Sequence, residues 1–289
     1  MQKVMITGIA GGFGKPTALA LLDKGYQVAG SVRSREGKNA ATVAELETAG
    51  ASIIAMDVTD TASTERGIAE AIEHLGCLDV LFNNAGIGSY GIQELMSPED
   101  MARVFDVNVM GVQRVMRAAL PRMRAQGRGT VLYTSSLIGR IATPFYGTYS
   151  ASKWALEAVV ECYRTELSGF GIESCIIEPG AMPTAFFNGM VAPKDPDREA
   201  QFGEFAAVPA MSATGLAEML KATPDQRPER IAEAVVDLLK MPFGQKPFRT
   251  VVDHVGVGPQ IERYNDVLHD VTRNIMTNFG IEDMLKLNA

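Results

Sequence analysis

Tyr149 and Lys153 are the residues whose types and spacing most directly suggest chemistry in this sequence. Residues four positions apart share one face of a helix, with Cβ atoms about 5 to 6 Å apart, so the lysine ammonium would lie beside the phenol. A free phenol has a pKa of about 10, and a neighbouring cation lowers that pKa because it favours the phenolate. With Ser136 thirteen positions before Tyr149, the pattern predicts a general acid/base site in which Lys153 lowers the pKa of Tyr149.

A glycine-rich turn near the start of the chain provides a second signal. Gly8, Gly12 and Gly14 lie within Thr7-Gly8-Ile9-Ala10-Gly11-Gly12-Phe13-Gly14, between a predicted strand and a predicted helix. Glycine lets the backbone approach a pyrophosphate, whose charge meets free N–H groups and the positive end of the helix. Tight strand-to-helix turns also use glycine for structural reasons alone, but together with the acid/base pair this turn predicts a dinucleotide site.

The residues after the second predicted strand indicate which dinucleotide binds. An NAD site has a carboxylate about 20 residues after the glycine turn, whereas an NADP site has an arginine there. No acidic residue occurs between Lys24 and Arg35, and the segment is Ser31-Val32-Arg33-Ser34-Arg35. We therefore expect NADP(H), with Arg33 binding the 2′-phosphate, and regard NAD(H) as the weaker candidate. No basic residue precedes Gly12, so Arg33 would act alone, and an exposed loop arginine remains the alternative.

Strands and helices alternate along the chain. Short β-rich segments occur at 3–7, 27–32, 52–56, 80–82, 130–134, 172–177 and 249–252, and helical patterns lie at 14–24, 37–49, 61–75, 98–126, 150–169 and 228–240. This alternation predicts an α/β fold, a doubly wound parallel sheet with helices on both faces. Ligands of such sheets bind beyond the carboxyl ends of the strands, where the glycine turn, Asn83-Asn84-Ala85-Gly86, Ser135-Ser136 and Pro179-Gly180 would all lie.

Composition restricts the class of protein. The 289 residues, 46% hydrophobic, suit a single domain spanning 1–289. A net charge of −7 predicts neither nucleic acid nor an anionic membrane as a partner, and no apolar run is long enough to predict a transmembrane helix. The three cysteines and three histidines are too scattered for a disulfide framework or a metal site. We expect a reduced, cytoplasmic protein without a metal.

Over about residues 2–255, the order and spacing of these motifs resemble the short-chain dehydrogenase/reductase family, in its single-domain Rossmann-fold branch. The matching elements are Thr7-Gly8-x-x-x-Gly12-x-Gly14, Asp57-Val58, Asn83-Asn84-Ala85-Gly86, Asn108, Ser136, Tyr149-x-x-x-Lys153 and Pro179-Gly180-x-x-x-Thr184. Phe13 departs from the aliphatic residue usual in the glycine turn, a variant that resembles some retinol- and steroid-type members.

The resemblance implies roles for the matched residues. Tyr149 would be the acid/base and Ser136 would hold the substrate oxygen, while Lys153 would lower the tyrosine pKa and bind the nicotinamide ribose. Asn108 would anchor a water relay. The implied cofactor contacts are Gly8, Gly12, Phe13, Gly14, Arg33, Asp57, Val58, Asn84, Ala85, Gly86, Tyr149, Lys153, Pro179, Gly180 and Thr184.

The resemblance also implies a seven-stranded sheet in the order 3-2-1-4-5-6-7. Most members of the family are homodimers or homotetramers that associate through helices corresponding here to about 98–126 and 150–169. The expected partners are therefore a small carbonyl or alcohol substrate and further copies of the same chain.

Two alternatives to a carbonyl reductase or alcohol dehydrogenase remain. Tyr146 stands seven residues before Lys153, a spacing that resembles the enoyl-reductase branch, which reduces a C=C bond conjugated to a carbonyl. Ser136 and the intact Asn83-Asn84-Ala85-Gly86 favour carbonyl chemistry, with Tyr146 in the wall of the substrate pocket. A dinucleotide-binding redox sensor without catalysis is the other alternative, but it would be expected to have lost Ser136, Tyr149 or Lys153.

Two further segments, 185–227 and 256–289, lead to predictions about the substrate class and about a C-terminal extension. Residues 185–227 are rich in phenylalanine and methionine, and by position they form the substrate lid, in which Phe186 and Phe205 would contact a medium-sized apolar ketone. The alternative is that these side chains only pack the lid onto the core. After the last strand, apolar residues recur at helical spacing within 256–289, which predicts an amphipathic helical extension that covers the pocket or forms a subunit contact.

Overall fold

Seven parallel strands form the centre of the molecule, which is a computed structural model that describes residues 2–287. The strands are β1 Lys3–Ile6, β2 Gln27–Val32, β3 Ser52–Ala55, β4 Val80–Asn83, β5 Gly129–Thr134, β6 Ile172–Pro179 and β7 Arg249–Val252. Their order in the sheet is β3-β2-β1-β4-β5-β6-β7, and each neighbouring pair is parallel. The predicted doubly wound α/β fold and its strand order are confirmed.

Ten α-helices surround the sheet within the described residues. They are α1 Gly14–Asp23, α2 Ala40–Thr48, α3 Thr61–Leu75, α4 Pro98–Phe105, α5 Gly111–Gln126, α6 Gly147–Ser168, α7 Pro196–Glu199, α8 Val208–Ala222, α9 Glu229–Lys240 and α10 Gly258–Asn278. Two separate clusters of buried apolar side chains pack between these helices and the sheet. Because both faces of the sheet are covered, every residue of β4, β5 and β6 is buried, as expected for central parallel strands.

One predicted helix is interrupted. The segment predicted as a single helix over 98–126 contains a π-helical turn, Asp106–Met110, between α4 and α5. Such turns insert one extra residue per turn and often occur at functional sites. The periodicity of the apolar residues did not reveal this turn, and Asn108 lies within it.

The segment 185–227 is helical in part, with two 3-10 stretches preceding α8. A single parallel β-bridge between Ser89 and Val191 joins it to the loop after β4. Tyr90 adds a second connection, because its hydroxyl donates to the carbonyl of Pro209 on α8 at 2.7 Å. The β-bridge and the Tyr90 hydrogen bond therefore hold this segment against the loop that follows β4.

The predicted C-terminal helix is present as α10, and residues 288–289 lie outside the described part of the chain. Ile261 and Asn265 are buried, whereas Val267, Val271 and Ile275 are 64%, 47% and 48% exposed. Most of the periodic apolar face thus lies at the surface of this single chain. No helix among residues 2–287 is both long and apolar enough to span a membrane.

Candidate active site

The glycine turn connects β1 to α1 and lies against the loop after β4. Gly8 has a positive φ of 67°, a conformation that favours glycine, and a Cβ atom placed on it would lie only 3.0 Å from the Cα of Ala85. The amides of Gly12 and Phe13 have no hydrogen-bond acceptor within residues 2–287. These free donors, at the N-terminus of α1, form the type of site that binds a phosphate.

Asn84 and Ala85 are held on this turn by Thr7, the first residue of the glycine motif, to which the sequence analysis assigned no role. The Thr7 hydroxyl accepts hydrogen bonds from the amides of Asn84 and Ala85 at 2.9 and 3.0 Å. The side chain of Asn84 donates to the carbonyls of Thr7 and Gly8 at 3.1 and 3.3 Å. The ends of β1 and β4 are therefore bonded to each other directly beneath the predicted cofactor site.

Asn108 lies fully buried on the π-helical turn and braces the loop after β4. Its Oδ1 accepts from the amide of Ile87 and its Nδ2 donates to the carbonyl of Ile87, both at 2.9 Å. Nδ2 also donates to the hydroxyl of Ser152 at 3.0 Å, one residue before Lys153. Gly86 lies beside both Asn108 and Lys153. The structure thus brings Asn108 to the acid/base pair.

Tyr149, Lys153 and Ser136 meet where β5 ends and α6 begins. The Lys153 Nζ lies 5.7 Å from the centroid of the Tyr149 ring, and it donates to the carbonyl of Thr134 at 2.8 Å. Ser136 begins a 3-10 turn, and its hydroxyl lies 3.5 Å from the carbonyl of Pro179. The predicted serine, tyrosine and lysine therefore lie together at the carboxyl ends of the strands.

Burial dominates the electrostatics of the pair. Burial raises the pKa of Tyr149 above its ordinary value, and the Ser136 hydroxyl offsets this only in part. Burial lowers the pKa of Lys153 to about 8, with the Glu157 carboxylate acting in the opposite direction. That Lys153 lowers the pKa of Tyr149 stays a prediction, because the loss of hydration on burial dominates the shift in the protein alone and the Lys153 amine is bonded to the carbonyl of Thr134.

Arg33 and Arg35 have different environments after β2. Arg35 pairs with Glu47 and donates to the carbonyl of Ile53 at 2.7 Å, so it has a structural role. Arg33 is exposed and makes no hydrogen bond or ion pair with any residue that the structure describes. Its guanidinium is free to bind an anion near the glycine turn.

The remaining predicted cofactor residues line the same edge of the sheet. Asp57 follows β3 and accepts from the amide and hydroxyl of Thr59 at 2.9 and 2.8 Å, and Val58 packs against Gly111. Thr184 packs on the glycine turn, since a Cβ atom on Gly12 would lie 2.6 Å from the Cβ of Thr184.

Pro179 ends β6 and Gly180 begins the loop after it, and this loop is held by a residue outside the predicted set. Gln226 is 1% exposed, and its side chain donates to the carbonyl of Ala181 at 2.8 Å and accepts from the amide of His254 at 2.6 Å. A buried glutamine with both ends bonded fixes the loop against the segment after β7. Sequence alone offers no signal for it, because Gln226 lies in no motif.

Aromatic side chains from three segments pack against Tyr149 or against one another. Phe186 packs edge-on against Tyr149 with a centroid distance of 5.6 Å, and Tyr146 lies 4.7 Å from the ring of Tyr90. Phe205 is farther out: it is 48% exposed and lies 6.1 Å from Phe145. Of the three predicted substrate residues, Phe186 contacts the acid/base directly, and Tyr90 and Phe145 are neighbours that the sequence analysis missed.

A buried ionic cluster lies behind Lys153 on α6. Glu157 accepts from the Ser135 hydroxyl at 2.6 Å and from Arg140 and Arg249, each at 3.0 Å. Glu178 on β6 is fully buried and accepts from Asn265 of α10 at 2.6 Å. Burial and the adjacent Glu157 raise the pKa of Glu178 to about 8. This cluster joins α6, β6, β7 and α10 next to the candidate site.

Within residues 2–287, no three His, Cys, Asp or Glu side chains are arranged to hold a metal ion. The polar groups that converge at the strand ends are instead a phenol, an ammonium, a hydroxyl and free amides. This set suits proton transfer beside a bound phosphate-containing ligand.

A family model described as short chain dehydrogenase matches residues 2–195, which include the glycine turn, Asn108, Ser136, Tyr149 and Lys153. The chain belongs to this family. Its established class is therefore that of a short-chain dehydrogenase/reductase, an oxidoreductase that acts on small molecules.

Three curated relatives from this family are similar to the chain. A 3-ketodihydrosphingosine reductase of Bacteroides thetaiotaomicron is 36% identical over 64% of this chain and 65% of its own length, just under two thirds. An NADPH-dependent 3-dehydrocapnine reductase of Ornithobacterium rhinotracheale is 30% identical, covering 72% and 75%. Human 17-beta-hydroxysteroid dehydrogenase type 1 is 32% identical, covering 83% and 74%.

Solved structures of short-chain dehydrogenases share the fold over nearly the whole chain. One from Streptomyces avermitilis is 28% identical, with a TM-score of 0.74 over 97% of this chain and 96% of that one. One from Burkholderia phymatum, in complex with NAD, is 25% identical, with a TM-score of 0.75 over 93% and 95%. These relatives include both an NADPH-dependent enzyme and an NAD complex, so family membership does not by itself decide the cofactor.

Proposed function

We propose that this protein is an NADP(H)-dependent carbonyl reductase or alcohol dehydrogenase in which Tyr149 exchanges a proton with the substrate oxygen. The observation that carries the proposal is the buried Tyr149 phenol between the Ser136 hydroxyl and Lys153, at the edge of the sheet where the glycine turn leaves free amides. Among the residues that the structure describes, neither the Tyr149 phenol nor the Lys153 ammonium forms an ion pair, so both are available for chemistry.

The residues present fit a dinucleotide with a 2′-phosphate. The free amides of Gly12 and Phe13 would hold the pyrophosphate, and the unpaired guanidinium of Arg33 would hold the 2′-phosphate. Asp57 and Val58 would flank the adenine, and Lys153 would bind the nicotinamide ribose. When bound, a nicotinamide cofactor supplies or accepts the hydride. The NADPH-dependent relative supports this choice, and NAD(H) is the alternative.

The raised pKa of Tyr149 favours the reducing direction. A buried phenol remains protonated at neutral pH, and a protonated phenol can donate to the oxyanion that forms as a carbonyl is reduced. Ser136 would hold the same oxygen by a hydrogen bond. Oxidation of an alcohol requires the phenolate instead, so we expect oxidation to need a more alkaline pH than reduction.

A medium-sized apolar ketone is the substrate class that the pocket supports. Phe186 packs on the Tyr149 ring, and Tyr146, Tyr90 and Phe145 form a second aromatic group in which Tyr90 contacts both of the others. Aromatic surfaces bind apolar ligands and leave orientation to a few polar groups. Two relatives are named for carbonyl or alcohol chemistry, a 3-ketodihydrosphingosine reductase and a 17-beta-hydroxysteroid dehydrogenase, which supports a ketone or alcohol substrate.

Cofactor oxidation with a panel of ketones tests the proposal. We expect NADPH consumption with apolar ketones and little with small polar ones, and the reverse reaction should appear with the matching alcohols at alkaline pH. A protein that binds NADPH tightly but consumes none with any ketone would be a non-catalytic dinucleotide sensor.

The enoyl-reductase alternative depends on Tyr146. Burial raises the pKa of Tyr146 to about 12, and the ring packs against Tyr90. Within residues 2–287 its hydroxyl forms no hydrogen bond with Lys153 or Ser136, whereas Tyr149 lies beside both. We therefore place Tyr146 in the pocket wall, and turnover of a conjugated enone at C=C with no ketone reduction would reverse that assignment.

We also propose a homodimer or homotetramer in a reduced, cytoplasmic setting. The helical segments α4 to α5 and α6, through which association is expected, expose Met110 at 50% and Trp154 at 41%, and Cys77, Cys162 and Cys175 are all free thiols. Light scattering that gives the mass of one chain at micromolar concentration would contradict the oligomer.

A further inference from the structure

A cavity of about 210 Å³ lies between α6, the start of β7 and the C-terminal segment. None of its lining residues belongs to the candidate active site, and α6 contributes residues one to three turns beyond Lys153. Arg164, Arg249 and His269 line it together with the apolar side chains of Phe248, Met276 and Leu285. It is therefore a separate and mixed polar and apolar space.

Arg164 is the uncompensated charge of this cavity. Its guanidinium stacks on the ring of Phe248 at 4.3 Å, and it makes no hydrogen bond or ion pair with any described residue. The only carboxylate in the lining is that of Glu161, which pairs with Arg249. Arg249 is also bonded to Glu157 at 3.0 Å and lies 3.4 Å from Glu178. The guanidinium N–H groups of Arg164 are therefore available to donate hydrogen bonds to a ligand.

The pKa of His269 shows that the electrostatic potential in this cavity is positive. Burial and the neighbouring Arg164, Arg273 and Arg249 lower its pKa, and Asp270 only partly opposes them. Arg273 donates to Nε2 of the imidazole at 2.8 Å, which requires an unprotonated nitrogen there. With His269 neutral and Glu161 committed to Arg249, an anion that enters the cavity meets one free arginine.

We propose that this cavity binds a small organic carboxylate, whose carboxylate pairs with Arg164 and whose short alkyl tail packs on Phe248, Met276 and Leu285. A guanidinium and a carboxylate match in plane and can form two parallel hydrogen bonds. One unpaired arginine suits a monoanion better than a phosphate dianion, because the other arginine of the lining, Arg249, is already paired with Glu157 and Glu161.

Histidine NMR provides a local test that does not depend on catalysis. The chain has only three histidines, so the His269 ring signal can be assigned by substitution. Hexanoate is the probe. Hexanol is the control ligand that lacks the charge, and inorganic phosphate is the control anion that lacks an alkyl tail. Saturable binding of hexanoate should raise the His269 pKa, because a nearby anion stabilises the imidazolium, whereas hexanol should not raise it.

Two variants locate the contact. Arg164→Gln should weaken hexanoate binding at least tenfold, while Arg263→Gln, an exposed arginine on α10 without an ion pair among the described residues, should leave it unchanged. Melting curves establish that both variants are folded. A third variant, Leu285→Ala, removes only an apolar contact of the cavity wall, and it should weaken the binding of hexanoate but not the binding of phosphate.

Three results would overturn the inference. They are a His269 pKa that hexanoate does not shift, an equal shift in Arg164→Gln, and phosphate binding as tight as hexanoate binding. This test does not depend on the proposed reductase activity, because His269 and Arg164 lie outside the candidate active site and no turnover is measured.

Discussion

At the scale of single residues, two tyrosines compete for the role of acid/base, and their surroundings separate them. Tyr149 lies beside Ser136, with Lys153 5.7 Å from its ring centroid. Tyr146 lies against Tyr90. Tyr149→Phe should reduce turnover by about 10²-fold or more, because general acid catalysis contributes that much, and NADPH affinity should change little.

Steady-state kinetics together with cofactor fluorescence measure both quantities. Tyr146→Phe is the matched control, since it removes the same atom from a neighbouring ring, and it should retain most activity. Activity in Tyr149→Phe with loss in Tyr146→Phe would favour the enoyl-reductase alternative.

Arg33 offers a residue-scale prediction about the cofactor. Loss of a charge-assisted hydrogen bond costs about 1.5 to 3 kcal/mol, so Arg33→Ala should weaken NADPH binding by roughly tenfold to a hundredfold. NADH lacks the 2′-phosphate, and its affinity should stay the same. Isothermal titration with both cofactors measures the ratio.

Arg35→Ala is the control for this prediction. Arg35 is paired with Glu47 and bonded to Ile53, so its loss should lower the melting temperature without changing the preference between the two cofactors. An equal loss of NADPH and NADH affinity in Arg33→Ala would show that Arg33 has only a structural role.

At the scale of elements, the segment 185–227 carries two aromatic residues with unequal positions. Phe186 contacts the Tyr149 ring and packs over Gly88, whereas Phe205 is about half exposed. Phe186→Ala should raise KM for bulky apolar ketones more than for small ones, because each buried CH₂ contributes about 0.8 kcal/mol. Phe205→Ala should have the same effect to a smaller degree.

Relative KM values across a series of ketone sizes, with melting temperatures alongside, check this prediction. If either variant lost thermal stability while the KM ratios stayed constant, the aromatic residues would only pack the segment onto the core.

The elements also show how far periodicity predicts structure. Strand bounds agree with the predictions to within two residues, because buried parallel strands are short apolar runs with clear ends. The helix predicted over 98–126 was drawn through a π-helical turn. One extra residue in a turn barely alters the apolar spacing, yet it places Asn108 against Ile87 and Ser152.

At the scale of the whole molecule, the buried cluster around Glu178 joins the sheet to α6 and α10, and it makes stability depend on pH. The pKa of Glu178 is raised from 4.5 to about 8 in the folded protein. Between these values the folded state binds a proton that the unfolded state has lost, so stability falls as pH rises. Glu178→Gln should remove this loss, which we expect to be roughly 1 to 3 kcal/mol between pH 5 and 8.

Urea unfolding at the two pH values measures the difference. The pKa of Lys153, lowered to about 8, acts mainly above that range and is common to both proteins. The exposed Glu166→Gln is the control and should behave as the wild type. Equal pH dependence in wild type and Glu178→Gln would show that Glu178 is ionised throughout.

The strand order came from the resemblance to the family, and Gln226, Tyr90 and Phe145 appeared only in the structure. The sequence by itself determined the parallel sheet with its alternating helices, the glycine turn, and the serine, tyrosine and lysine that meet at the strand ends. These follow from local patterns: apolar runs of strand length, glycines where the backbone must turn sharply, and an acid/base pair four residues apart on one helix. Tertiary structure decided the electrostatics of those same residues. Segments distant in sequence bury Tyr149 and bring the carbonyl of Thr134 to Lys153. They also decide that Arg35 is paired while Arg33 is free. A pKa is set by hydration and by neighbouring charges, and neither can be obtained from spacing along the chain.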